Sequence, residues 1–364
     1  MLLRPHLFLD TLTHALSGAL LARATAPRDA PPRSLKYSLR RRIAAGFLSC
    51  AAPDLDFVVG FFGPVAYVEL HRGPTHSLLL LPLWAFFYSW LLAKILREER
   101  GWRALYGITA MGLALHVAGD LITSYGTMIL WPLSTMRAGL GTTFIIDPWF
   151  SGIIAAGLSF SVLFRHSRIS SIAASAVLCA YVGFQAILKQ HALDFAADYA
   201  KSRGLLDVAV TAQPRPVSPF NWTVFLSDAD RHRYAHVNLV REAPVPYKAG
   251  DGFIARLDSA YLPLAQAHWE TASRYGDTPQ QQAAGRAAWT SDGLAFFRWF
   301  AELPAFDGTT EDGRCVWFAD LRFGSPGRDA LPFRFGACKE SAPGSAWRAY
   351  QRVEMGGRAP LTGR

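Results

Sequence analysis

Apolar segments crowd the first half of the chain and are separated by short polar stretches. The uncharged runs cover residues 43–52, 77–93, 104–119, 149–164 and 169–188, and a further apolar stretch covers 57–62. A helix that crosses a bilayer needs about 20 apolar residues, with about 17 as the lower limit. About two or three runs reach that length, and the shorter ones predict helices that are tilted, buried or half-inserted. The pattern therefore predicts an α-helical polytopic membrane domain with about five or six hydrophobic helices.

The first 26 residues predict a short amphipathic or membrane-inserted helix over residues 9–23. A basic residue, an apolar stretch and an alanine-rich end also match the outline of a cleaved signal peptide. However, the apolar run is interrupted by Asp10, Thr11, Thr13, His14 and Ser17. The core of a signal peptide avoids such residues, so the helix is the preferred interpretation.

The second half has the pattern of a soluble α+β domain. Alternating apolar residues predict a hairpin over 220–227 and 233–240, and a second strand pair over 314–323 and 331–338. Residues 262–275 and 280–302 predict helices. We therefore expect a membrane-embedded helical domain over 1–195, a linker over 196–219 that is proline-rich from 211, and a soluble α+β domain over 220–364.

Composition agrees with a membrane protein. Hydrophobic residues make up 51% of the chain and charged residues only 18%, whereas a soluble domain has about 25% charged residues. The net charge is +9, and residues 1–190 hold 17 basic but only 9 acidic side chains. A basic half that is also the apolar half indicates a membrane protein rather than a nucleic-acid binder, so no nucleic-acid partner is expected.

The loops between the apolar runs alternate between basic and nearly uncharged. The basic loops cover residues 23–42, 97–103 and 165–168, whereas 63–75 and 123–148 hold one basic residue each. Positively charged loops usually face the cytoplasm. This pattern predicts a multi-pass protein of the bacterial inner membrane, with the N-terminus and everything after residue 190 on the periplasmic side.

The four cysteines fit that orientation. Cys50 and Cys179 lie in apolar runs, where a free thiol acts as a small hydrophobic side chain. Cys315 and Cys338 lie in the second predicted strand pair, on the oxidising side of the membrane. We expect a disulfide between them, with two unpaired buried thiols as the alternative.

Histidines and aspartates collect at the helix ends that this topology assigns to the periplasmic side. Each is costly inside a membrane without a partner, so their common location indicates a shared site. His116 and Asp120 are four residues apart on one helix face, and imidazole with carboxylate suits zinc or another borderline divalent ion. The candidate metal ligands are His14, Asp54, His71, His76, His116, Asp120 and Asp147.

Asp56 and Arg72 are candidate catalytic residues. Asp56 is predicted as a general base or second-metal ligand, and Arg72 as a group that stabilises negative charge developing on a phosphoryl oxygen. We expect one or two divalent ions, zinc in the first place and manganese as the alternative. Simpler structural interpretations stay open, because Asp54 and Asp147 can cap helices and Arg72 can bind a lipid phosphate.

Four short motifs resemble a known family in their order and spacing. They are DTLTH (10–14), APDLD (52–56), HRGPTHS (71–77) and HVAGDLITSYG (116–126). Together they resemble the YdjM-like family of bacterial inner-membrane, metal-dependent hydrolases, over roughly residues 8–190. A more distant similarity, to zinc-dependent phospholipase C and the single-strand-specific zinc nucleases, breaks down after the fourth motif. Residues 121–150 contain no His or Glu, so a full three-zinc centre is not implied.

These observations predict a membrane-bound, metal-dependent hydrolase that acts on a phosphoester or lipid-linked substrate at the outer face of the inner membrane. Membrane lipid is the expected partner, and no protein partner is indicated. One alternative is an ion- or proton-handling transport protein, although that role favours polar residues through the bilayer centre. Another is a non-catalytic scaffold with a closed structural metal site.

Overall fold

The computed structural model describes residues 5–27, 32–164, 168–248, 250–326, 331–339, 345–353 and 357–361. The chain divides into two compact units, Met1–Val58 with Leu70–Ile187 and Val59–Glu69 with Leu188–Arg364. Two of the basic loops that predict the orientation fall partly outside the described residues, at 28–31 and 165–167.

The first half of the chain is helical. Its helices are α1 (Pro5–Ala24), α2 (Pro32–Ala51), α3 (Pro64–Leu70), α4 (Leu81–Ile95), α5 (Arg103–Leu121), α6 (Pro148–Leu163) and α7 (Ile169–Ser202). Two 3-10 segments, Pro53–Phe62 and Pro74–His76, connect α2 to α3 and α3 to α4. Helices α1 and α2 approach closely because Gly18 and Gly46 face each other, and a Cβ on Gly18 would lie 2.1 Å from the carbonyl oxygen of Gly46.

Fewer helices can span a membrane than the sequence predicts. Among the described residues, three are long and apolar enough: Leu39–Phe62, Arg103–Leu121 and Ile169–Ser202. Pro64–His76 and Leu81–Ile95 are together long and apolar enough to cross a membrane, but the two parts are bent by 80° relative to each other. They count as a fourth span only if both parts are regarded as a single broken span. The expectation of five or six is therefore too high, because α6 has only 16 residues and the run from residue 77 enters α4 through a turn.

The second half is rich in β-structure. Its strands are β1 (Ala209–Pro214), β2 (Asn221–Ser227), β3 (Arg231–Asn238), β4 (Leu262–Pro263), β5 (Trp269–Ser273), β6 (Pro304–Thr309), β7 (Cys315–Asp320), β8 (Phe335–Cys338), β9 (Arg348–Arg352) and β10 (Arg358–Pro360). Its helices are α8 (Phe253–Ser259), α9 (Pro279–Trp289) and α10 (Ala295–Phe300). One sheet has the order β1-β2-β3-β4, with β5 also paired to β3, and the other has the order β10-β9-β8-β7-β6.

The end of α7 is part of the core of the second unit. Leu188, Ala192 and Ala196 follow one another at four-residue spacing, and therefore lie on one helix face. They pack against Trp222 and Val224, which point to the same face of β2. All five side chains are buried, and the small alanines allow the helix to lie close to the sheet.

The strand predictions are largely confirmed. The first predicted hairpin is β2 with β3, and Cys315 lies opposite Cys338 in the β7–β8 pair, where they form a disulfide. The helix predicted over 262–275 is wrong, because this segment forms β4 and β5 and pairs with β3. The helix predicted over 280–302 is divided into α9 and α10. The range predicted as a linker contains the end of α7 and all of β1.

Candidate metal centre

Helix ends and one tight turn bring histidines and aspartates together in the first unit. His14 lies on α1, Asp54 in the 3-10 segment after α2, and His76 at the end of the Pro74–His76 turn. His116 and Asp120 lie on one face of α5. All five side chains are buried.

Three of these side chains surround Nε2 of a fourth, His116. Nε2 of His76 lies 3.0 Å from Nε2 of His116 and 3.0 Å from Oδ2 of Asp120. Nε2 of His116 lies 3.5 Å from Oδ1 of Asp54 and 3.5 Å from Oδ2 of Asp120. Zinc–nitrogen bonds of about 2.0–2.1 Å in a tetrahedral site separate the ligand atoms by roughly 3.3 Å. The ligand atoms of Asp54, His76 and His116 lie within 4.8 Å of one another, and Oδ2 of Asp120 contacts both histidines. We call these four residues the His2Asp2 cluster, and the distances around Nε2 of His116 fit ligands of one divalent ion.

The cluster also has unused ligand atoms. Oδ2 of Asp54 and both carboxylate oxygens of Asp120 make no hydrogen bond of acceptable geometry. Asp120 is compensated by the charge of Arg72 at 3.0 Å, whereas burying Oδ2 of Asp54 without a partner is costly. Nδ1 of His116 donates to the carbonyl oxygen of Cys50 at 2.6 Å, which keeps the proton away from Nε2 and leaves that atom free to ligate. The donor set therefore fits a metal ion.

A second metal-capable group, with Asp10 as its additional acid, lies beside the cluster, but Arg72 already pairs with its carboxylates. The ligand atoms of Asp10, His14 and Asp120 lie within 4.8 Å of one another. Nη2 of Arg72 lies 3.0 Å from Oδ1 of Asp120 and 3.4 Å from Oδ2 of Asp10. The guanidinium supplies the positive charge that a second ion would bring, so this geometry favours one ion rather than two. Arg72 is itself only 2% exposed.

Asp56 and His71 lie outside the metal-capable groups found among the described residues. Oδ1 of Asp56 lies 2.6 Å from Nδ1 of His71. Its Oδ2 accepts from the backbone N–H of Arg72 and from the hydroxyl of Thr75. Asp56 thus holds the turn that carries His76, which explains why a carboxylate is needed here.

Asp147 also lies outside those groups. Its side chain caps α6 by accepting from the backbone N–H groups of Trp149 and Phe150. It accepts a further hydrogen bond from the hydroxyl of Tyr181 at 2.7 Å. These bonds join α6 to α7 within the first unit.

Asp10 and Cys50 belong to metal-capable groups and were not among the candidate ligands. A signal for Asp10 was present, because Asp10 precedes His14 by four residues, the same spacing that relates His116 to Asp120. Cys50 had no comparable signal, since it lies in an uncharged run where a thiol is an ordinary apolar side chain.

A small cavity of about 50 Å³ opens beside the cluster. Asp10, Thr13 and His14 of α1 line it together with Gly119 of α5 and Asp147. A Cβ on Gly119 would lie 2.7 Å from Cε1 of His14, so glycine at this position leaves room for the imidazole ring. The cavity therefore borders Asp10 and His14, whereas none of its lining residues belongs to the His2Asp2 cluster.

The region that holds the cluster is similar to known proteins. The Bacillus subtilis (strain 168) protein called "Uncharacterized protein YfhP" is 28% identical over 141 residues, which cover 39% of this chain and 42% of that protein. No solved structure matches the chain. The profile of the YdjM inner membrane protein family matches residues 9–192, which is just over half of the chain and includes every residue of the His2Asp2 cluster. The chain therefore belongs to the YdjM inner membrane protein family.

Proposed function

We propose that this protein is a membrane-bound, metal-dependent hydrolase that acts on a phosphoester or lipid-linked substrate. The observation that carries the proposal is the His2Asp2 cluster, four buried ligand side chains of which Oδ2 of Asp54 has no hydrogen-bond partner. These residues would hold a divalent ion, zinc or alternatively manganese, which would supply Lewis-acid chemistry and the activation of water for hydrolysis. We favour catalysis over a closed structural site because a cavity borders Asp10 and His14, whose ligand atoms lie within 4.8 Å of a ligand atom of Asp120.

The residues around the cluster have separate roles in this proposal. Arg72 places a buried positive charge beside the cavity, which favours an anionic substrate and the negative charge that develops on it. Asp56 acts as a positioning residue for the turn that carries His76, because three donors already occupy its oxygens. His71 supports the same turn, and Asp147 fixes the start of α6 at the cavity wall.

We also propose that the site faces the periplasmic side of a multi-pass inner-membrane protein, with the second unit on the same side. The disulfide between Cys315 and Cys338 supports this orientation, because disulfides persist in oxidising compartments. The excess of basic residues in residues 23–42 supports it from the opposite side of the membrane. A reporter that is active only in the periplasm, fused after residue 361, tests the orientation; an inactive reporter on a stably produced fusion overturns it.

The metal content of the detergent-purified protein tests the site. Elemental mass spectrometry of protein prepared without chelator should find about one zinc or manganese per chain. That content should fall in His116→Ala and in Asp120→Ala, whereas His191→Ala should retain it because His191 is an exposed histidine on α7. A folded wild type without metal, or metal retained in both cluster variants, overturns the proposal.

Activity is then assayed on metal-loaded protein. Bis(p-nitrophenyl) phosphate and a short-chain phospholipid serve as soluble and lipid probes, and hydrolysis should disappear in the two cluster variants. Full metal occupancy without hydrolysis of either probe favours the scaffold alternative, in which the ion only fixes helix packing.

A further inference from the structure

The face of the first sheet that points away from α7 is polar and yet buried. Alternation along β1, β2 and β3 places apolar residues against α7, and mainly polar residues, with Phe225 among them, on the other face. Gln213, Thr223 and His236 are register partners in one row across the three strands. Gln213 and Thr223 are buried, and His236 is partly exposed. Buried polar side chains of this kind normally have hydrogen-bond partners for every polar atom.

Arg215 comes two residues after Gln213, on the same polar face of the first sheet, and is only 4% exposed. Its Nε donates to the hydroxyl of Thr223, and its Nη1 donates to the carbonyl oxygen of Arg322 at 2.9 Å. Its Nη2 has no partner. Asp320, the carboxylate whose charge acts on Arg215, is already bound by Nη2 of Arg322 at 2.8 Å. The second unit therefore holds a buried cation with one unused nitrogen.

Three further unpartnered atoms belong to the same region: Oε1 of Gln213, the hydroxyl of Thr211 and the hydroxyl of Tyr261. Tyr261 is fully buried, and its ring lies edge-on to His236 at 5.9 Å. Burial lowers the pKa of Arg215 to about 10 and raises the pKa of the Tyr261 hydroxyl. Both shifts express the cost of charging these groups away from water.

We propose that Arg215, Tyr261 and Gln213 form a binding site for a small carboxylate that carries a neighbouring hydroxyl or amino group. Nη2 of Arg215 and the hydroxyl of Tyr261 donate to the carboxylate. Oε1 of Gln213 is an acceptor and binds the hydroxyl or amino group. A single negative charge balances the single buried cation, whereas a phosphate dianion adds charge and offers Gln213 no donor. Thr211 and His236 are partly exposed on the same face.

This site is independent of the metal centre, because every residue in it belongs to the second unit. Saturation-transfer NMR on the full chain in detergent micelles tests it with glycolate, acetate and inorganic phosphate as probes. Glycolate should bind, and acetate should bind about tenfold more weakly, because it leaves Oε1 of Gln213 without a donor.

Three variants separate the proposed contacts from general effects. Arg215→Met should abolish glycolate binding, and Tyr261→Phe should weaken it about tenfold while preserving the shape of the core. Arg286→Met is the matched control, because Arg286 is exposed and paired with Asp230 in the same unit; it should bind glycolate as the wild type does. If Arg215→Met does not fold, glycolate binding to Tyr261→Phe tests the proposal by itself.

Several results overturn the proposal. If none of the three probes binds the wild type, ordered water alone fills the gap. Glycolate binding that survives in Arg215→Met, or that is unchanged in Tyr261→Phe, removes the assigned contacts. Phosphate that binds as tightly as glycolate makes this a general anion site rather than a carboxylate site.

Discussion

Replacing Gly18 with alanine tests whether the contact between α1 and α2 sets the geometry of the metal centre. A Cβ at this position would lie 2.1 Å from the carbonyl oxygen of Gly46 and 2.5 Å from Cβ of Cys50. Cβ atoms essentially never approach other heavy atoms within 3.0 Å. Backbone and Cβ atoms cannot rotate away, so the two helices must separate by about 1 Å.

The expected cost has two parts. Overpacking of this kind costs about 1–3 kcal/mol, while alanine in a helix regains up to about 1 kcal/mol over glycine. The net loss of stability should therefore be about 1–2 kcal/mol. The shift also reaches the cluster, because the carbonyl oxygen of Cys50 on α2 orients His116 through its Nδ1. Disturbing such a supporting bond lowers metal affinity by about 10–100-fold.

Urea unfolding and zinc competition against a coloured chelator measure both effects on detergent-purified protein. Gly107→Ala is the matched control on α5, because a Cβ there meets no atom within 4 Å. It should leave zinc affinity unchanged and raise stability by up to about 1 kcal/mol. If Gly18→Ala behaves like Gly107→Ala in both measurements, the reasoning about this contact is refuted.

Three other predictions concern single groups. Arg72→Met removes the guanidinium between Asp10 and Asp120, so bound metal should rise from about one towards two ions per chain; unchanged content in elemental analysis would contradict the role given to the arginine. Cys315→Ser should lower the unfolding free energy by about 3 kcal/mol, because the disulfide links positions 23 residues apart. Denaturant curves with and without reductant check this, and identical curves for the wild type would argue against it. Burial, with Arg215 nearby, lowers the pKa of His236 from 6.5 to about 3. The stability that neutral His236 gives to the folded state is therefore fully present above pH 6.5, and it is lost as the pH falls towards 3. The loss is at most about 5 kcal/mol, and should appear as a falling unfolding midpoint that His236→Gln flattens.

Local signals predicted the helices of the first half and the β2–β3 and β7–β8 pairs, but not the other strands of the second half. The hairpin of β2 and β3 has regular alternation and a polar turn, so its register follows from nearby residues. Residues 262–275 contain several good helix formers, but β5 gains its partner from β3, about 35 residues earlier in the chain. Pairing at that distance leaves no mark in the local pattern, which is why the helix prediction failed there.

The site was predictable where two ligands share one helix or one turn. The spacing of His116 and Asp120 and the His-containing motif that ends at His76 identified most of the His2Asp2 cluster. The place of Arg72 between Asp10 and Asp120 depends on how α1 packs near α5. The unpartnered atoms around Arg215 likewise depend on which loops cover the sheet, and a sequence does not show this.

Helix α7 has a consequence for where the chain can be cut. Its 34 residues begin in an apolar run, and its last turns form one wall of the core that holds Trp222. A fragment that starts after residue 202 loses Leu188, Ala192 and Ala196, and leaves the apolar face of the first sheet open to water. Such a fragment should aggregate, whereas one that begins at 188 keeps its core. The β-rich half therefore begins inside helix α7. A recombination event that moves this half to another protein would need its breakpoint inside α7, before Leu188.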